Sequence, residues 1–164
     1  MNKRWLRNLL TTRWSLRRHF PKAVLDSIEQ AIAASERRHS GELRFAVECS
    51  MDLASLARGH TARERAIEAF SRLHVWDTEA NNGVLIYLLL SEKDIEIVAD
   101  RGFNGKVSSE QWQAICTGME QAFAEGRYQQ GTIAGVEAVC AIIREHFPPD
   151  ESDQNELPNK PVVL

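Results

Sequence analysis

At 164 residues, with 43% hydrophobic and 26% charged side chains, the chain has the size and composition of one ordinary globular domain. A formal net charge of -3 gives no overall attraction for nucleic acid, and no apolar run approaches the ~20 residues that span a bilayer. The N-terminus lacks the continuous apolar segment of a secretory signal, and Cys49, Cys116 and Cys140 are odd in number and widely spaced, so reduced thiols and a cytoplasmic location are expected.

Residues 1–20 carry Lys3, Arg4, Arg7, Arg13, Arg17 and Arg18 and no acid. Trp5, Leu6, Leu9, Leu10, Trp14 and Leu16 recur between them at mostly helical spacings, which predicts a basic amphipathic helix or arm. Trp5, Arg7, Trp14, Arg17 and Arg18 are the candidate contacts to an anionic membrane surface, or to a protein partner associated with one. Packing of the apolar side on the chain's own domain is the competing reading. Nucleic acid is not an expected partner, because the remainder of the chain offers no basic face.

Pro21 opens a cleaner helix, since a proline at the first helical position loses no hydrogen bond. Val24, Leu25, Ile28, Ala31 and Ile32 line one face of it, and Gly41 stops it. "ELRFAVE" alternates Leu43, Phe45 and Val47 with polar or small residues, the pattern of a strand covered on one face. Thr61 and Glu64 form a capping box for a helix expected to bury Ala66, Ile67, Phe70 and Leu73.

"GVLIYLLL" is apolar throughout, so a strand there is covered on both faces and runs parallel to the first through a right-handed crossover. "IEIVAD" returns antiparallel as a hairpin. A second capping box at Ser108 and Gln111 starts a helix through Phe123, and another runs from Ile133 toward Phe147, ended by Pro148-Pro149. The expected architecture is α/β: a small mixed sheet in a three-layer α/β/α sandwich over residues 21–147. Residues 148–164, with Asp150, Glu151, Asp153 and Glu156, have too little apolar content to order themselves and are expected to form a flexible acidic tail.

The hairpin brings "WDTEANNG" and "ADRGFNG" to one end of the sheet. Asp77, Glu79, Asn81, Asn82 and Asp100 can then form an oxygen-rich patch suited to a hard divalent cation, calcium or magnesium. Solvated turns, and a local Asp100–Arg101 ion pair, fit the same residues. Nucleophilic catalysis finds no motif: Cys49 has no linked histidine, and His39, His60 and His74 read as surface or cap residues. Neither a nucleophile elbow, a phosphate loop nor an HExxH helix is present.

The segment "NNGVLIYLLLSEKDIEIVADRGFNGKV" resembles the TPM domain family, through Asn82-Gly83-Val84-Leu85 at the strand entry and Asp100-Arg101-Gly102 at the hairpin's end. The Gly41-Glu42 strand start, residues 70–76 and the last two helices also correspond. The resemblance implies a Rossmann-like α/β/α sandwich, a divalent-metal cleft falling here on Asp77, Glu79, Asn82 and Asp100, and the phosphatase activity of some plant members. Many relatives have an aspartate after the glycine turn, where this chain reads Phe103-Asn104-Gly105-Lys106, and a carboxylate missing there weakens both metal affinity and metal-assisted hydrolysis. The expected function is a binding or adaptor module, peripheral to a membrane. A metal-assisted phosphomonoesterase is the alternative.

Overall fold

The computed structural model describes residues 3–151 and 154–164. Asp153, counted above in the acidic tail, and the first two residues of the arm lie outside them. In chain order the elements are α1 (Lys3–Leu10), α2 (Arg13–His19), α3 (Lys22–Glu36), β1 (Glu42–Glu48), α4 (Leu53–Ala57), α5 (Ala62–Arg72), β2 (Gly83–Leu89), β3 (Asp94–Ala99), α6 (Ser109–Ala124), α7 (Tyr128–His146) and β4 (Val162–Val163). A 3-10 turn at Arg101–Phe103 joins β3 to α6.

The sheet has the order β3-β2-β1-β4. β1 and β2 are parallel, with Glu42 opposite Gly83 and Glu48 opposite Leu89. β2 and β3 are antiparallel, with Ile86 opposite Ile97. Crossover and hairpin are therefore arranged as the hydrophobic pattern requires. Both capping boxes close, Thr61 with Glu64 and Ser108 with Gln111.

Alternation along the strands divides the core in two. Leu43, Phe45, Val47, Val84, Ile86 and Leu88 face one side, where α3, α6 and α7 cover them with residues such as Ile28, Ile32, Phe123, Val136 and Ile143. Ala46, Leu85, Tyr87 and Leu89 face the other, under α4, α5 and Trp5 of α1. On α5 the inner stripe is Ala62, Ala66 and Ala69, while Ile67 is exposed, contrary to the pattern assigned it above. Small residues are needed there because α5 lies close over the bulky Tyr87 and Leu89.

Two parts differ from the sequence reading. All of β1 is buried, including Glu42, Arg44 and Glu48, so this strand is covered on both faces. The cover comes partly from residues 154–164 of the acidic tail, which pack along the strand where the sequence predicts a loose segment. β4 adds to the free edge of β1 in parallel, Ala46 opposite Val162 and Val47 opposite Val163, and the Leu164 amide donates to the Val47 carbonyl at 2.9 Å. The Glu42 carboxylate accepts from the amides of Glu156 and Leu157 at 2.9 and 3.2 Å, and the Arg44 guanidinium donates to the Pro158 carbonyl. An open strand edge and two buried charges all require partners, and a tail with few apolar residues supplies them through its backbone.

The N-terminal arm is two helices broken at Thr11-Thr12. The Arg7 carbonyl accepts from both the Thr11 amide at 3.0 Å and the Thr11 hydroxyl at 2.9 Å, a back-bond that bends a helix end.

Candidate functional site

The segments before Gly83 and after Ile97 do share one rim. The Asp100 amide donates to the Gly83 carbonyl at 2.9 Å, and the Gly102 amide donates to the Asn81 carbonyl at 2.9 Å. Gly102 is required by this approach, since a Cβ there would collide with the carbonyl of Asn81. Gly83 is required by a different one, the return of the loop onto the strand entry, where a Cβ would collide with the Val75 carbonyl oxygen. Asn81 itself sits at a φ of 53°, in the left-handed region that asparagine tolerates. Arg101 donates from Nε to Asn81 Oδ1 at 2.8 Å, and Asp100 Oδ1 accepts from the Arg101 amide at 2.7 Å, so the side-chain ion pair between neighbours does not form.

Of the four candidate ligands, only Glu79 and Asn82 line a common cavity. Asn82 is buried, its Nδ2 donating to the Ser40 carbonyl at 2.7 Å and its amide to Thr78 Oγ1 at 3.1 Å. Asp77 and Glu79 are exposed, and the Glu79 amide donates to the Glu156 carboxylate at 2.9 Å. Beside the rim is a polar cavity of about 580 Å³, lined by Ser40, Glu79, Asn82, Asp150, Gln154 and Glu156. Asp77 and Asp100 lie outside that lining, and two tail carboxylates join it instead.

Asn82 Oδ1 and Asp100 Oδ2 are buried oxygens without a hydrogen-bond donor, the right kind of atom for a hard cation. Yet among the described residues no three His, Cys, Asp or Glu side chains stand together as a metal-holding group. The residues present do not fit a preformed divalent centre.

This rim is at the amino ends of the parallel strands β1 and β2, because both strands begin there. Open α/β sheets hold ligands at the opposite, carboxyl ends. Here those ends are covered by α1. Asn8 Oδ1 accepts from the Met51 amide at 2.8 Å and from Ser91 Oγ at 2.8 Å, while its Nδ2 donates to Glu92 at 3.0 Å. Arg4 pairs with Glu92 at 2.8 Å and donates to the His60 carbonyl.

On the α5 side of the same end, Glu48 receives Arg65 at 2.6 Å and the hydroxyl of Tyr87. Burial and the adjoining Glu48 carboxylate push the Tyr87 phenol well above its ordinary range, and that carboxylate also keeps Arg65 firmly charged. Burial raises the half-buried Cys49 thiol, and pushes the buried Cys116 and Cys140 to about 12 and about 11, away from the thiolate a nucleophile needs. Among the histidines, His74 is exposed but His39 is buried, with neither ring nitrogen partnered, contrary to its expected surface role.

Asn8, Arg4, Glu48, Arg65 and Tyr87 carry no motif in the sequence. A usable signal exists only for Glu48, a charge closing a strand next to an all-apolar one.

A TPM domain model matches residues 19–142. The chain belongs to the TPM domain family. Among solved structures, this TPM domain is similar to the BA42 protein of the psychrophilic bacterium Bizionia argentinensis, at a TM-score of 0.75 and 29% identity over 87% of this chain and 93% of that one. It also has the fold of the N-terminal domain of a protein from P. gingivalis, at a TM-score of 0.60 and 18% identity over 76% of each chain. No curated protein matches it. The α1 cover of the carboxyl ends, and the tail residues that line the rim, lie outside the matched stretch of the TPM domain.

Proposed function

We propose that this TPM domain is a binding module held at an anionic membrane surface by its N-terminal arm, where it meets membrane-associated protein partners. One observation carries the reading. The arm turns its polar anchors Asn8 and Arg4 inward and leaves Leu6, Leu9, Leu10 and Trp14 exposed, Leu10 and Trp14 at 67% and 68%.

A helix that only packed on its own domain would bury those side chains, each worth about 1.5–3 kcal/mol. Lys3, Arg7, Arg13, Arg17 and Arg18 are exposed along the same arm, with Arg18 over the Trp14 ring at 5.6 Å. Each basic side chain near an anionic surface adds about 1 kcal/mol. No helix among the described residues is long and apolar enough to cross a membrane, so the contact is interfacial.

Co-sedimentation with phosphatidylglycerol vesicles tests this. The full chain should pellet with them and not with phosphatidylcholine vesicles, and both Leu10→Ser/Trp14→Ser and Arg17→Gln/Arg18→Gln should stay in solution. Equal pelleting of all three proteins would end the reading.

A second reading, a divalent cation at the rim, is favoured by the two orphaned oxygens of Asn82 and Asp100. Its mark would be a melting temperature raised by calcium and insensitive to it in Asp100→Asn. The phosphomonoesterase alternative lacks, among the described residues, an assembled carboxylate set to hold the ion it needs.

A further inference from the structure

Between the arm and the β2–β3 turn lies a second cleft, of about 450 Å³, at the carboxyl end of the sheet. Its walls come from three separate parts of the chain: Arg7, Ser15 and His19 from the arm, Glu92 and Lys93 from the turn, and Tyr128 from the start of α7. Arg7 and Lys93 face it with no acidic partner among the described residues. The one carboxylate in the wall, Glu92, is already neutralised, its Oε1 taking both Arg4 at 2.8 Å and Asn8 Nδ2 at 3.0 Å. The cleft therefore has a positive excess.

Lys93 is also held unusually. Its φ of 53° lies in the left-handed region, where a glycine would sit without cost and a lysine does not. A side chain retained in a costly backbone conformation is a reason to look for what it does. His19 is stacked on Tyr128 at 4.1 Å between centroids, which fixes the ring beside the cleft. Burial and the charges of Arg18 and Lys93 lower its pKa, so it serves as a neutral N–H donor.

We propose that this cleft binds a phosphate-class oxyanion, held by Arg7 and Lys93 with Ser15 and His19 donating beside them. Two cations from separate parts of the chain, with neutral donors in the same lining, suit a tetrahedral anion, whose oxygens take charge-assisted hydrogen bonds from several directions. The cleft is large enough for a phosphorylated headgroup as well as for the free ion. It is distinct from the acidic rim, which lies at the other end of the strands.

The test is a titration of the full chain with inorganic phosphate, then with glycerol 3-phosphate, followed through backbone amide shifts. Saturable shifts are expected at Ser91–Lys93 and Ser15–His19. Lys93→Gly removes the ammonium while relieving the backbone, so it should melt no lower than the parent and bind about tenfold more weakly. Arg7→Gln should weaken binding similarly, whereas Arg17→Gln, with the same charge change outside the cleft, should cost less than about twofold.

Absence of saturable shifts, or equal losses in all three variants, would overturn the proposal. Vesicles containing phosphatidic acid then distinguish the source. Loss of vesicle binding in Lys93→Gly assigns a lipid headgroup, and unchanged vesicle binding alongside lost phosphate binding assigns a soluble anion. Either result upholds the cleft. Leu10→Ser/Trp14→Ser should keep the phosphate titration whatever it does to vesicles, which separates this site from the membrane reading.

Discussion

His39 makes the stability of this domain sensitive to mild acid. It sits between the end of α3 and the start of β1, 2% exposed, and neither ring nitrogen finds a partner. Burial, opposed in part by the Gly41 backbone and helped by the Arg38 and Arg144 charges, lowers its pKa from 6.5 to about 4. Because the folded value is depressed, the fold favours the neutral ring. No stability is lost at pH 7; the loss begins as pH falls below 6.5, and it is complete below about 4. Each pH unit across that window costs about 1.4 kcal/mol, so full charging costs about 3 kcal/mol, a large part of the 5–15 kcal/mol typical of a domain.

Asp94 works in the opposite sense. Burial first, then Glu96, Glu120 and Glu92, raises it to about 6, so its contribution improves as pH falls from there toward 3.8. The assay must therefore isolate the histidine. Urea denaturation of the parent and of His39→Gln at pH 7.0, 6.0, 5.0 and 4.5 does so, because all other groups cancel in the difference. The parent should lose about 2 kcal/mol relative to the variant between the first and last of these conditions. Parallel profiles would refute the assignment of a buried neutral imidazole.

Gly83→Ala should destabilise by about 1–3 kcal/mol or prevent folding, because its methyl group meets the Val75 backbone and not a movable side chain; thermal melting reads this directly. Tyr87→Phe removes the buried hydroxyl donor to Glu48 and should cost about 1–3 kcal/mol in urea denaturation, with Arg65 left as that carboxylate's main partner. Asn8→Ala removes the side chain that joins α1 to Met51 and Ser91, so trypsin should cut at the arm's arginines several times faster while the midpoint of global unfolding moves little. An unchanged cleavage rate would mean that α1 is held by something other than Asn8.

The parts of the fold that are legible in the sequence are those where apolar period and local chemistry coincide. β2 and β3 declare themselves through an unbroken apolar run and a short polar turn, and α5 and α6 through capping boxes that close as their spacing requires. The rim is legible in backbone terms, since Gly102 stands where the residues after β3 must touch the loop before β2. Its chemistry is not, because an exposed carboxylate such as Asp77 and a buried amide such as Asn82 look alike in a polar loop. β1 misleads for a related reason. Arg44 and Glu48 give it the alternation of a half-solvated strand, yet both are buried against partners more than ten residues away, Pro158 for one and Arg65 for the other. Period reports polarity, and polarity equals exposure only where no distant partner is available.

The arm extends that distinction to a helix. The spacing of Leu6, Leu9 and Leu10 identifies which side of α1 is apolar but not which side meets the protein. Hydrogen bonds make the choice: Asn8 satisfies the Met51 amide and the Ser91 hydroxyl at the carboxyl ends of β1 and β2, positions where a leucine would leave both unmade. Burying polar groups beside Trp5 costs little when they are paired, and it leaves Leu6, Leu9 and Leu10 exposed. The same docking brings Arg7, Ser15 and His19 against the β2–β3 turn, so the cleft exists only while the arm is seated. Inward anchor, exposed apolar surface and cleft are thus three sides of one helical arm, and Asn8 with Arg4 joins that arm to the sheet.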